Sequence, residues 1–117
     1  MNILDTIVEY KKSEVGSRKS GVSVSELEKS SLFGRKTYSL KEFLLNKSKT
    51  GIIAEFKRKS PSKGIINDKA DVVEVTKGYT ENGASCLSVL TDEHFFGGSD
   101  EDLKKARINA IPILRKE

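Results

Sequence analysis

Gly51-Ile52-Ile53-Ala54-Glu55-Phe56-Lys57 is a nearly continuous apolar run that takes on charge only at its carboxyl end. Parallel strands covered on both faces look like this, because alternation is lost when neither face meets water. Downstream the pattern returns. A polar loop passes through Ser60-Pro61-Ser62-Lys63-Gly64, and the segment 70–82, with Val72, Val73, Val75 and Tyr79, reads as a helix stopped by Gly83. A second apolar strand, 84–90, runs into the Gly-containing loop 91–98. Ser99 or Asp100 then caps a helix through Arg107, and Ile111-Pro112-Ile113-Leu114 starts a third strand that ends in Arg115-Lys116-Glu117. Strand, loop and helix in this order make a parallel α/β fold with the crossover helices outside. The order alone leaves both a barrel and an open sheet in play. Either architecture places its ligands at the carboxyl ends of the strands.

Upstream of this unit the chain is helical. Ile3, Leu4, Ile7, Val8 and Val15 fall at helical spacing, with a stop expected at Gly16-Ser17 and a basic, serine-rich loop to Gly21. Ser23 followed by Glu26 is a capping box that opens a short helix carrying Leu27. Ser39 starts another helix, with Leu40, Phe43 and Leu44 as its apolar stripe, ending near Asn46. Residues 1–48 therefore form an amino-terminal helical extension, and residues 49–117 the α/β unit.

Composition narrows the function. The 117 residues carry a net charge of +4, with basic and acidic side chains interleaved, which argues against a dedicated nucleic-acid binder. The first residues hold no apolar run of signal-peptide or membrane-spanning kind, and a single cysteine, Cys86, allows no internal disulfide, so a cytoplasmic setting is expected. Cys86 sits in an apolar strand and reads as a buried structural thiol more readily than as a nucleophile. His94 has no second His or Cys nearby, so no metal site is expected.

Three ionisable residues point to chemistry. Glu55 and Lys57 lie two residues apart on a strand and leave the same face, while Phe56 points the other way. On the inward face of a parallel sheet such charges must neutralise each other or a ligand; a structural ion pair is the competing reading. Lys116, at the end of the third strand, can join them, because alternate strands of a barrel contribute to one interior layer. Read alone, the final Arg-Lys-Glu is more often a solvated tail. The stretch 57–64 offers cations, hydroxyls and a glycine suited to phosphate, without the P-loop pattern; a flexible basic connection competes.

The run Ile52-Ile53-Ala54-Glu55-Phe56-Lys57-Arg58-Lys59-Ser60-Pro61-Ser62-Lys63-Gly64 closely resembles the signature segment of indole-3-glycerol phosphate synthases. Segments 83–99 and 111–117 are similar to that family's second strand and loop and its third strand. The resemblance implies a partial (β/α)8 TIM barrel, its first three parallel strands preceded by amino-terminal helices. It implies an enzyme that acts on 1-(2-carboxyphenylamino)-1-deoxyribulose 5-phosphate, a small phosphorylated substrate. The product is indole-3-glycerol phosphate, with loss of carbon dioxide and water, and no cofactor takes part. By resemblance, Lys116 matches the general acid at the substrate carbonyl. Lys57 matches the lysine that meets the carboxylate and phosphate region, and Glu55 the carboxylate that orients both lysines and assists proton traffic. Ser60 and Pro61 match the loop that shapes the site. Leu90 and Phe96 match apolar positions flanking the aromatic ring, although core packing explains them as well.

Such barrels need ~250 residues. The family's second catalytic glutamate, its asparagine and its phosphate-binding serine and glycines belong to later strands. A chain carrying three strands is therefore expected to be inactive alone, with a missing carboxyl-terminal barrel half as its partner. Two further readings stay open: a non-catalytic α/β module that binds a phosphorylated ligand, and an interaction unit that works only by fragment complementation.

Overall fold

A computed structural model describes residues 2–117. The chain divides into one compact unit ending at Lys36 and a second over Thr37–Glu117. The first holds α1 (Ile3–Gly21) and α2 (Val24–Glu28). The second holds α3 (Leu40–Leu45), β1 (Ile53–Phe56), β2 (Lys59–Ser60), β3 (Gly64–Ile65), α4 (Val72–Glu81), β4 (Cys86–Leu90), α5 (Asp100–Ala106) and β5 (Ile113–Lys116).

Strands β1, β4 and β5 form a three-stranded parallel sheet in that order. Helices α4 and α5 cover one face. Phe56, Val72, Val89 and Ala106 make the core there, flanked by Ala70, Val73, Val75, Leu103 and Ile113. Phe56 and Val89 face outward toward the helices because they alternate with Glu55 and Ser88, which face inward. Both helices have side-chain caps, from Asp71 to the Val73 N–H and from Ser99 to the Asp102 N–H, each satisfying an otherwise unpaired donor. Asn109 ties the two layers together, donating from Nδ2 to the buried Thr76 hydroxyl at 3.0 Å. Helix α3 lies at the amino-terminal ends of the strands. There the Leu40 carbonyl faces the Cys86 thiol at 3.9 Å, and a Cβ on Gly51 would meet the Leu44 carbonyl at 3.5 Å.

On the inward face, Ile53 is 41% exposed and Leu114 45%, while Cys86 and Leu90 between them are buried. The sheet is thus open at both edges and covered on one face, as expected of three strands of a larger parallel array.

The structure differs from the sequence reading in three places. Helix α1 does not stop at Gly16-Ser17 but continues to Gly21. A mid-helix glycine costs only about 1 kcal/mol. The Arg18–Glu14 pair at 2.8 Å spans the glycine, and the Ser20 hydroxyl donates to the Gly16 carbonyl. The connection after β1 is not a free loop. Lys59 and Ser60 pair antiparallel with Ile65 and Gly64, and the Arg58 carbonyl accepts from the N–H groups of Ile66 and Asn67. Finally, β5 begins later than expected, at Ile113, and runs to Lys116, so Arg115 and Lys116 lie in the ladder at the strand's carboxyl end as the sequence reading has them, opposite Val89 and Leu90. Pro112 has no N–H to donate and enters only through its carbonyl, which accepts from Leu87.

Candidate active site

Ladder register sets the geometry. Glu55 stands opposite Ser88, and Ser88 opposite Leu114; one step further along the inward face, Leu90 stands opposite Lys116. Lys57 follows β1 at this same level. Two ammonium groups thereby reach one carboxylate: Lys116 Nζ lies 3.0 Å from Glu55 Oε2, and Lys57 Nζ lies 3.8 Å from Oε1. The Ser88 hydroxyl donates to Oε2 at 2.9 Å. Burial pushes the Glu55 carboxyl upward, but the hydrogen bonds from Lys116 and Ser88 and the charges of Lys116 and Lys57 outweigh it. The net value lies below the ordinary 4.5, so Glu55 is ionised at neutral pH.

Side-chain exposure is 52% for Lys116, 32% for Lys57 and 29% for Glu55, which leaves both ammonium groups open to a ligand. A pair this exposed contributes at most about 1 kcal/mol to stability. Two cations against one anion also leave a surplus positive charge at the rim, which an incoming carboxylate or phosphate can neutralise. Chemically, Lys116 can donate a proton, Glu55 can return one through their shared hydrogen bond, and Lys57 can hold an anion.

The remaining expected residues fall around this cluster in different ways. Phe96 is half-buried, with its ring centroid 6.0 Å from Lys57 Nζ. Leu90 is 2% exposed and packed, on the inward face opposite Lys116. Ser60 is buried in the hairpin, where its hydroxyl accepts from the Lys63 N–H and meets Ser62 Oγ at 3.3 Å. Pro61 is exposed at the hairpin turn. Among the described residues no group of three or more His, Cys, Asp or Glu could hold a metal ion. No described helix is long and apolar enough to cross a membrane.

Several supporting residues escape sequence reasoning. Asp92, 3% exposed, shapes the loop after β4: its Oδ2 accepts from the N–H groups of Phe95 and Phe96, at 2.7 and 3.2 Å. Its carbonyl accepts from Gly98 at 2.7 Å. An aspartate just past a strand and shortly before Gly-Gly is a local turn signal that could have marked it. Arg58 leaves the outer face, stacks on Phe56, donates to the Ala70 carbonyl and forms a two-pronged ion pair with Asp102 of α5. It ties the segment after β1 to the helix after β4, across a separation in sequence that no local pattern reveals.

The sequence matches the family described as Indole-3-glycerol phosphate synthase over residues 4–117. A relative of that name from Bacteroides thetaiotaomicron is 44% identical over 117 residues, covering 99% of this chain and 45% of the relative. One from Carboxydothermus hydrogenoformans is 39% identical, covering 97% of the chain and 46% of the relative. One from Bordetella pertussis is 46% identical over 74 residues. The chain thus spans just under half the length of the curated relatives it matches end to end, and its three-stranded sheet corresponds to part of the family's TIM barrel. On its sequence match over nearly every residue, the chain belongs to the indole-3-glycerol phosphate synthase family.

Proposed function

We propose that the chain supplies the proton-handling part of an indole-3-glycerol phosphate synthase site. The reaction converts 1-(2-carboxyphenylamino)-1-deoxyribulose 5-phosphate to indole-3-glycerol phosphate, carbon dioxide and water. Lys116 donates a proton to the substrate carbonyl oxygen as the ring closes. Lys57 holds the substrate carboxylate until it leaves as carbon dioxide. Glu55 orients the two lysines and carries protons between them and the substrate. Ser60 and Pro61 shape the adjoining loop, and Leu90 and Phe96 line the aromatic ring. The observation that carries this reading is one carboxylate shared by two solvent-accessible ammonium groups at the carboxyl ends of parallel strands. In this fold that rim is where chemistry is placed.

The edges β1 and β5 and the exposed Ile53 and Leu114 support a second part of the proposal: further parallel strands complete the barrel and the site. A reducing cytoplasm suits the free, buried Cys86. The test joins residues 1–117 to the carboxyl-terminal remainder of the Bacteroides thetaiotaomicron relative and follows indole-3-glycerol phosphate formation. Lys116→Ala is expected to lower kcat by about 10²-fold or more, the usual worth of a general acid. Glu55→Gln is expected to lower it less. Unchanged turnover in the doubly substituted chimera, with circular dichroism matching the parent, refutes the assignment.

A further inference from the structure

We propose that Ser88 is a positioning residue for the Glu55 carboxylate, fixing which oxygen meets which lysine. Its hydroxyl is on the middle strand, 3% exposed, directly opposite Glu55 in the β1–β4 ladder. It donates to Oε2 at 2.9 Å, the same oxygen that Lys116 approaches at 3.0 Å. A carboxylate held only by two long, flexible amines could rotate and exchange its oxygens. The short serine side chain on a paired strand has no such freedom, so its hydrogen bond locks the carboxylate plane and leaves Oε1 turned toward Lys57. A serine in an otherwise apolar strand needs such a partner, since a buried hydroxyl without one is destabilising.

The groups facing Glu55 are Lys57 beyond its own strand, Ser88 from β4 and Lys116 from β5. The hydroxyl also favours the ionised carboxylate, in the same sense as both lysines. Loss of Ser88 is therefore expected to have two effects of one origin: Glu55 titrates at higher pH, and the Lys116–Glu55 contact loosens.

This inference concerns the same site as the proposed reaction and rests on it for its role in turnover, but it is testable without turnover. In the 117-residue chain, the side-chain carboxyl resonance of Glu55 is followed by carbon-13 NMR against pH. Ser88→Ala, and the nearly isosteric Ser88→Cys, are expected to move the Glu55 midpoint upward; Ser88→Thr, which keeps the hydroxyl, leaves it in place. In the chimera the first two lower kcat about tenfold, the worth of one charge-assisted hydrogen bond, with KM nearly constant and the acid limb of the pH profile moved up. Ser88→Thr restores both. A Glu55 midpoint unmoved in both the Ala and Cys variants overturns the inference, whatever turnover does. A moved midpoint with turnover indifferent to Ser88, Glu55 and Lys116 alike upholds the positioning contact and sinks the proposed reaction instead.

Discussion

Replacing Gly98 by alanine tests the packing of the β4 loop directly. An added Cβ would lie 2.0 Å from the Leu90 carbonyl oxygen and 2.6 Å from its carbon, with Thr91 Cα at 3.0 Å. Ordinary contact begins at 3.4 Å, so something must retreat by more than an ångström. Every obstacle is backbone, and no side-chain rotation relieves it. Leu90 is held in register opposite Lys116, and Gly98 donates to the Asp92 carbonyl at 2.7 Å, so either the ladder or the loop gives way. Overpacking of this kind together with one lost hydrogen bond costs about 3 kcal/mol. That is a large share of the ~5–15 kcal/mol that holds a domain folded. The assay is urea unfolding of the parent, Gly98→Ala and Gly78→Ala. Gly78 lies inside α4 with nothing within 4 Å of its Cβ position, so the same chemical change there stabilises by about 0.5–1 kcal/mol. A Gly98→Ala midpoint within error of the parent, or two glycines shifting in the same direction, refutes the reasoning.

Three other outcomes are expected. Asp102→Ala leaves the Arg58 guanidinium, 22% exposed, without its partner and costs about 3 kcal/mol. Arg58→Met combined with Asp102→Leu costs much less, and a double variant less stable than the single one contradicts this account. Because the folded Glu55 carboxyl lies below its ordinary 4.5, its contribution is complete above that pH and is lost as pH falls through the lowered value. The stability gap between the parent and Glu55→Gln should therefore narrow below pH 4.5; a gap that widens in acid reverses the sign. Burial pushes the Cys86 thiol above its ordinary 9.0, and the residue is 0% exposed, so a disulfide reagent at neutral pH modifies it only as fast as the chain opens. Rapid labelling under native conditions contradicts that burial.

The fold was largely legible because its signals are local and redundant. The apolar run ending in Glu55-Phe56-Lys57 announces a parallel strand, of which only the Phe56 face is covered, and Ser23, Ser39 and Ser99 each sit where the following helix needs an acceptor. Glu55 and Lys57 follow from the period of a strand. Lys116 reads as the end of the third strand, while a terminal Arg-Lys-Glu also has the composition of a solvated tail, and the pairing opposite Leu90 decides between the two. Ser88 gave no signal of its own, since one small polar residue in an apolar strand looks like packing until the opposite residue is known. Arg58 and Asp102 meet only through tertiary structure. The hairpin of Lys59–Ser60 with Gly64–Ile65 is too short for an alternating pattern to register.

Helix α3 at the opposite end of the strands from the charged cluster has an evolutionary consequence. Variation around Leu40, Leu44, Gly51 and Cys86 touches what keeps the sheet assembled, whereas variation around Lys57, Phe96 and Lys116 touches the charged cluster at the other rim. Change in the charged cluster can thus accumulate at one rim while tolerance to heat is adjusted at the other, each with little interference from its counterpart.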